Sequence, residues 1–296
     1  MAVKDFTFTQ NIGRAKRPHL GIPNIASNMP EGTEDGLEVT GCRFSFALCY
    51  DDPAHTILLA HMFGAVADAG SGPSSYTHTF TLSPDVDTLK GLTVCARIGT
   101  SGTKQKTLYG GRINKWDITW EPGGHAIVSV EVMCKGANAL ASLTSLTPHA
   151  SPTYVISNHG STISWNSDTP TARRCRLACD RAMATNYGIG SAEGLAELDD
   201  IGDVTLEATL NSGETGVTDH EAAYIAATSS DATFSFTRST HTLAGTLHNA
   251  QLMDPIERAA SRPGIIQYTA KWRGLADTTD SGLAIVVTND VANYNT

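Results

Sequence analysis

The chain has 296 residues, of which 41% are hydrophobic and only 17% charged, with 27 glycines and 12 prolines. That balance excludes a disordered chain and a coiled coil, both of which carry more charge, and it supplies the turns an all-β chain needs. The formal charge of −9 excludes ordinary electrostatic binding to nucleic acid phosphates.

As a prior, the length fits two domains of about 130–150 residues, each able to bury a core without disulfides or metals. The longest apolar run, residues 57–67, is too short to span a bilayer, so no membrane is expected. The opening MAVKDFTFTQ lacks the apolar stretch of a secretory signal. The six cysteines, Cys42, Cys49, Cys95, Cys134, Cys175 and Cys179, are therefore expected as buried thiols rather than a disulfide framework.

In chain order, residues 1–40 read as an N-terminal arm kept extended by Pro18, Pro23 and Pro30. Residues 41–140 read as a first β domain. Cys42, Phe44, Phe46 and Leu48 alternate with Arg43 and Ser45, the period of a half-buried strand. Asp52-Pro53 starts a short helix that Gly64 stops. Ile57, Leu58, His61 and Met62 are expected on its buried face. Strands follow at Leu92 to Ile98, at Trp116, Ile118 and Trp120, and at Val128, Val130 and Val132. The last two flank a Pro-Gly-Gly turn and form a hairpin.

Residues 141–160, rich in Ser, Thr, Pro and Ala, read as a linker, and residues 161–296 as a second β domain. Val204, Leu206, Ala208 and Leu210 alternate with polar residues, as do Phe234 with Phe236, and Ile266, Tyr268, Ala270 and Trp272. Asp219 opens a further helix candidate. Asp254-Pro255 is either one helical turn or a wide hairpin connection. Strands with one wet and one dry face belong to antiparallel sheets, so the fold class is all-β with minor α, as a sandwich or barrel. The expected core holds Phe44, Phe46, Trp116, Trp120, Phe234, Phe236, Tyr268 and Trp272.

The two halves share a pattern. Leu108-Tyr-Gly-Gly leads through a Pro-Gly turn to Lys135-Gly136, and Leu243-Ala-Gly-Thr leads through Pro263-Gly264 to Arg273-Gly274. The offset between opening glycines nearly equals that between closing ones, which points to an internal repeat.

No catalytic or metal signature appears. Cys175-x3-Cys179 and Cys42-x6-Cys49 match no usual zinc spacing, and the ten histidines are expected at the surface. There is no P-loop and no nucleophile elbow. Neither an enzyme nor a cofactor is expected.

The Leu108-Tyr-Gly-Gly-Arg-Ile-Asn-Lys-Trp116 strand, its Gly123-Gly-His-Ala-Ile-Val-Ser-Val-Glu-Val-Met-Cys-Lys-Gly136 partner, the Tyr76-Thr-His-Thr-Phe80 block and the Ala284-Ile-Val-Val-Thr288 strand resemble the tail tube proteins of long-tailed bacteriophages. The resemblance is closest to the tandem-duplicated, two-domain type found in some siphophages. It implies two β-sandwich or barrel domains, each with a short flanking helix. Three copies would close a pseudo-sixfold ring, and rings would stack around a tape-measure protein, capped by terminator and tip proteins. The tube would belong to the virion tail, assembled in the host cytoplasm, with double-stranded DNA passing without specific binding.

On that resemblance, the wet strand faces are candidates to line an acidic lumen: Lys115, Asp117, Thr119, Glu121, Ser129 and Glu131, then Asn249, Gln251, Gln267 and Thr269. Alternation alone does not tell lumen from outer surface. Candidates for contacts between subunits or rings are Arg14, Lys16 and Arg17 in the arm, Gly70, Gly72, Lys104 and Lys106 in loops, Arg173 and Arg174 in a basic cluster with Arg176 and Arg181, and Asp219 and Glu221. The arm either reaches a neighbour or frays, and the basic cluster either meets an acidic neighbour or faces solvent. The rival reading is a two-domain carbohydrate-binding or adhesin module, with exposed aromatics around a pocket.

Overall fold

A computed structural model describes residues 5–16, 33–70, 76–82, 91–98, 104–138, 141–142, 154–157, 161–186, 195–197, 203–211, 217–255, 258–262, 265–276 and 281–291. The first half contains β1 (Asp5–Lys16), β2 (Thr33–Ala47), α1 (Pro53–Phe63), β3 (Gly64–Ala69), β4 (Tyr76–Leu82), β5 (Leu92–Ile98), β6 (Lys104–Trp120), β7 (Ile127–Cys134), β8 (Gly136–Ala137) and β9 (Ala141–Ser142). The second contains β10 (Thr162–Trp165), β11 (Ala172–Asp180), β12 (Ala184–Asn186), β13 (Leu195–Glu197), β14 (Asp203–Asn211), α2 (Val217–Ile225), β15 (Ser229–Arg238), β16 (His241–Leu252), β17 (Arg258–Arg262), β18 (Ile265–Arg273) and β19 (Leu283–Asn289). Among the described residues the chain is mostly strand, with two helices, as its alternation predicts.

The strands form two layers. The first runs β1-β2-β7-β6-β11-β14-β18-β17, antiparallel throughout. The second runs β10-β15-β16-β19-β4-β3. They meet at one corner, where Gln251 and Leu252 of β16 pair with Arg273 and Trp272 of β18. The sheet does not close: among the described pairings β1, β17, β3 and β10 each have a partner on one side only. The leading half of β6 pairs instead with β5, β8 and β9.

Aromatic side chains fill the space between layers. Trp116 lies 5.3 Å from Phe63, Trp120 lies 5.4 Å from Phe234 and 5.2 Å from Phe236, and Trp165 lies 5.9 Å from Trp272. Phe44, Phe46, Trp116, Trp120, Phe234, Phe236, Tyr268 and Trp272 are all buried, each burial contributing about 1.5–3 kcal/mol. Gly245 sits opposite Phe234 on β15, whose ring lies across it; a Cβ there would meet Phe234 Cζ at 2.1 Å.

Helix α1 starts and stops on the signals read from sequence. Asp52 Oδ1 accepts from the Ala54 N–H at 2.9 Å, Pro53 occupies the first turn, and Gly64 ends the helix at φ 94°. Its buried face is Leu58, Leu59, Met62 and Phe63, whereas Ile57, expected inside, is 42% exposed. The helix runs directly into β3, so its rotation is set by Phe63, wedged between Trp116 and Phe80.

Three regions are more specific than expected. Residues 5–16 of the N-terminal arm form a strand paired along β2; Phe6 and Phe8 alternate with Asp5, Thr7 and Thr9, a strand period overshadowed by Pro18, Pro23 and Pro30, which lie outside the described residues. Part of the linker is built into the fold: the Ile156 N–H donates to the Leu48 carbonyl, its own carbonyl accepts from the Ala126 N–H, and its side chain is buried. Cys95 is exposed, while the other five cysteines are buried free thiols; Leu92, Val94 and Ala96 turn the opposite way from it. The opening strands of the repeat, β6 and β16, take different partners, whereas β7 and β18 hold matching places. What recurs is strand-helix-hairpin, β2-α1-β3-β4 and β14-α2-β15-β16, with the rung orders β1-β2-β7-β6 and β11-β14-β18-β17.

Candidate functional site

The outer face of the first layer is a continuous polar surface drawn from both halves. Its registers set residues in rows across the strands. One row reads Thr7, Arg43, Glu131, Lys115, Asp180, Asp203. The next reads Ser45, Ser129, Asp117, Ala178, Thr205, Arg273, and a third ends in Thr119, Arg176, Glu207, Lys271. Small residues in the middle row leave a shallow trough of about 410 Å³ between charged rims.

Cross-strand ion pairs cover this surface. Lys115 Nζ lies 2.6 Å from Asp180, Arg174 lies 3.2 Å from Glu121, and Arg176 lies 3.8 Å from Asp117. Arg273 pairs with Asp203. The hydrogen bond from Lys115 raises its own pKa. Asp180 is lowered, because that bond and the Ala182 N–H outweigh desolvation. Burial raises Asp117, with Arg176 and Arg43 pulling the other way. Among the described side chains the face carries Arg43, Arg112, Lys115, Arg174, Arg176, Lys271 and Arg273 against Asp5, Asp117, Glu121, Glu131, Asp180, Asp203 and Glu207, a formally neutral balance. The acidity of the chain is therefore not concentrated here.

Of the ten lumen candidates, Lys115, Asp117, Thr119, Glu121, Ser129, Glu131, Gln267 and Thr269 share this face. Asn249 and Gln251 stand on β16 in the other layer: the Asn249 N–H donates to Asp231 and Gln251 Nε2 donates to the Ala227 carbonyl, each at 3.0 Å. The inter-subunit candidates are dispersed. Arg14 and Lys16 occupy positions along β1, Gly70 follows β3, Lys104 and Lys106 start β6, Asp219 and Glu221 belong to α2, and Arg17 and Gly72 lie outside the described residues. Lys106 sits over the Phe8 ring at 5.9 Å. The basic cluster splits: Arg174 and Arg176 join the paired face, and Arg173 is exposed within β11, at the register shift between Ala172 and Arg174.

Arg181 goes inward, which sequence reasoning missed. It is buried, and its Nη2 donates to the carbonyls of Met62 at 2.6 Å and Phe63 at 3.2 Å, the end of α1. Burial pulls its pKa down. Asn114 of β6 holds this stretch in place, its backbone carbonyl accepting from the Arg181 N–H and its side chain from the Met183 N–H. No local pattern separates Arg181 from Arg173, Arg174 and Arg176; the signal lies in a contact 118 residues away.

Histidines expected at the surface are in part buried: His55, His78, His220 and His241. Each is held by specific partners. His55 Nδ1 accepts from the Cys49 N–H at 3.0 Å, and its ring lies 4.5 Å from Phe46. His78 Nδ1 faces Asp68 at 2.6 Å and its Nε2 faces the Val291 carbonyl at 2.9 Å, tying β3, β4 and the end of β19 together. His220 Nδ1 meets the Tyr268 hydroxyl at 2.9 Å, and His241 stacks on Tyr154. Among the described residues no group of His, Cys, Asp and Glu is arranged to hold a metal ion.

A family model described as phage tail tube protein matches residues 26–274. No curated protein matches the chain. With most of its length matched, this chain belongs to the phage tail tube protein family, non-enzymatic structural subunits of the virion tail that assemble into a tube with other tail components.

Proposed function

We propose that the chain closes into rings through the two open edges of its first layer, the paired-charge face lining the bore. The layer carries this reading. It holds eight strands, antiparallel throughout, so β17 of one copy set beside β1 of the next continues the alternation without a break. Within the chain, β6 against β11 already joins one four-strand block to the next, and β17 against β1 would repeat that joint. An unpaired edge is a liability that ring closure removes. Phe6 on β1, on the core side of the sheet, is 40% exposed and would be covered by the neighbour.

Two tandem units per chain, the recurring strand-helix-hairpin, make three copies sufficient for a pseudo-sixfold ring. Rings then stack around a tape-measure protein in a siphophage-type tail built in the host cytoplasm, between terminator and tip proteins. Segments 65–75, 99–107 and 211–231 supply the ring-to-ring joints. Double-stranded DNA passes through without specific binding. The adhesin reading is disfavoured because Trp116, Trp120, Trp165 and Trp272 are all buried, leaving none of the four as a sugar-stacking platform.

Electron microscopy of the purified protein tests the reading. Stacked rings with a bore and threefold averaging are expected; a monodisperse monomer at high concentration would overturn it.

A further inference from the structure

We propose that the ion pairs across β6 and β11 keep the cations of the bore wall from gripping duplex DNA; this rests on the assignment of the face to the bore. A wall past which a polyanion slides must leave few cations free, because each Lys or Arg that grips a phosphate adds a contact that salt weakens. An acidic bore is one solution, and the chain charge of −9 suggests it. This face takes another. It keeps Lys115, Arg174 and Arg176 and sets each against a carboxylate on the adjoining strand, while Arg43 and Lys271 stand opposite Glu131 and Glu207 in the register.

The polarity reverses along the ladder. After Arg112 and Lys115, β6 turns to carboxylates at Asp117 and Glu121, and against Lys115, Asp117 and Glu121 β11 sets Asp180, Arg176 and Arg174, so neither strand is a basic stripe. Stability does not account for the arrangement. Lys115 and Asp180 are 49% and 47% exposed, and exposed pairs contribute about 0–1 kcal/mol. Their effect is on the field. The potential of a closed pair falls off faster with distance than that of a lone charge, and salt screens the remainder within about 8–10 Å. Passing phosphates meet short dipoles on a nearly neutral wall, neither held by cations nor repelled by a uniformly acidic bore.

Assembled tubes and a short fluorescent duplex DNA test this. Wild-type tubes are expected to retain equally little DNA at low and high salt. Tubes carrying Asp180→Asn with Glu121→Gln, which unpairs Lys115 and Arg174, are expected to retain several-fold more at low salt and to release it as salt rises. Tubes in which only Lys115→Asp and Asp180→Lys are exchanged, which keeps that pair with its polarity reversed, are expected to behave as wild type. Salt-dependent retention by wild-type tubes overturns the proposal, and needs no variant to assemble. So does wild-type behaviour of correctly assembled Asp180→Asn/Glu121→Gln tubes. A Thr119→Cys tube reports on the bore separately: a small maleimide is expected to react and a gold-conjugated one to be excluded along the tube wall. Gold along the whole wall would place the face outside and overturn the bore assignment together with the masking drawn from it.

Discussion

Two buried side chains carry the most specific chemistry. Arg181 is a cation taken out of water to terminate a helix, held there by Nη2 while its Nε and Nη1 are buried without a hydrogen-bond partner. Arg181→Ala removes both bonds to the Met62 and Phe63 carbonyls and leaves a cavity, an expected loss of about 3 kcal/mol. Arg181→Met keeps most of the volume without the desolvated charge and is expected to lose about half as much. Urea midpoints measure both, and an unchanged midpoint for Arg181→Ala would remove the capping role. His55 works through its neutral form, because its Nδ1 accepts the Cys49 N–H. Burial, against the pull of Asp52, lowers its pKa from 6.5 to about 4. The folded chain therefore binds fewer protons than the unfolded one between those values. The stability that His55 contributes is complete above pH 6.5 and declines as pH falls toward 4, by up to about 3 kcal/mol. Urea unfolding at pH 7 and pH 4.5 tests this, and His55→Gln is expected to flatten the slope.

The hairpins and α1 were legible because their signals are local. Period two marks β6, β7, β14 and β15, and Asp52, Pro53 and Gly64 bracket the helix within a dozen residues. The paired face was half legible: alternation identifies Lys115, Asp117 and Glu131 as wet, but nothing in β6 says that Asp180 and Arg176 lie beside them, since that depends on how β11 docks. The same limit hid Arg181 and the buried histidines. It also hid that Asn249 and Gln251 belong to the second layer, whose β16 lies between β15 and β19 and meets β18 of the first only at Gln251 and Leu252. Gly245 shows an element constraint of this non-local kind. With Phe234 lying over it, Gly245→Ala forces the ring off its seat between Trp120 and β16, an expected cost of about 2–3 kcal/mol. Phe234→Leu frees that space, so the double variant is expected to be more stable than the two single losses added together. Additive losses in thermal unfolding would show that the contact is not what requires the glycine.

For the whole molecule, the decisive property is a layer complete in its interior and, among the described pairings, open at both ends. On the proposed ring closure, folding and assembly use the same ladders, and a substitution that spares the first can stop the second. Phe6 offers that separation. It lies on β1, which pairs along β2, and 40% of it remains exposed on the core side of an edge strand. A lysine there keeps its stem against the sheet and its ammonium in solvent while the chain is alone. Once a neighbour covers the edge, that charge is buried without a partner, the device by which natural edge strands block association. Phe6→Lys is therefore expected to unfold within about 1 kcal/mol of wild type, the range of partly exposed positions, yet to remain monomeric under conditions in which wild type is expected to form rings. Sedimentation velocity beside thermal unfolding separates the two effects. If Phe6→Lys assembles as wild type does, β1 is not the joining edge, and the ring must close through β3 and β10 of the second layer, which puts the paired-charge face outside the contact that builds the tube.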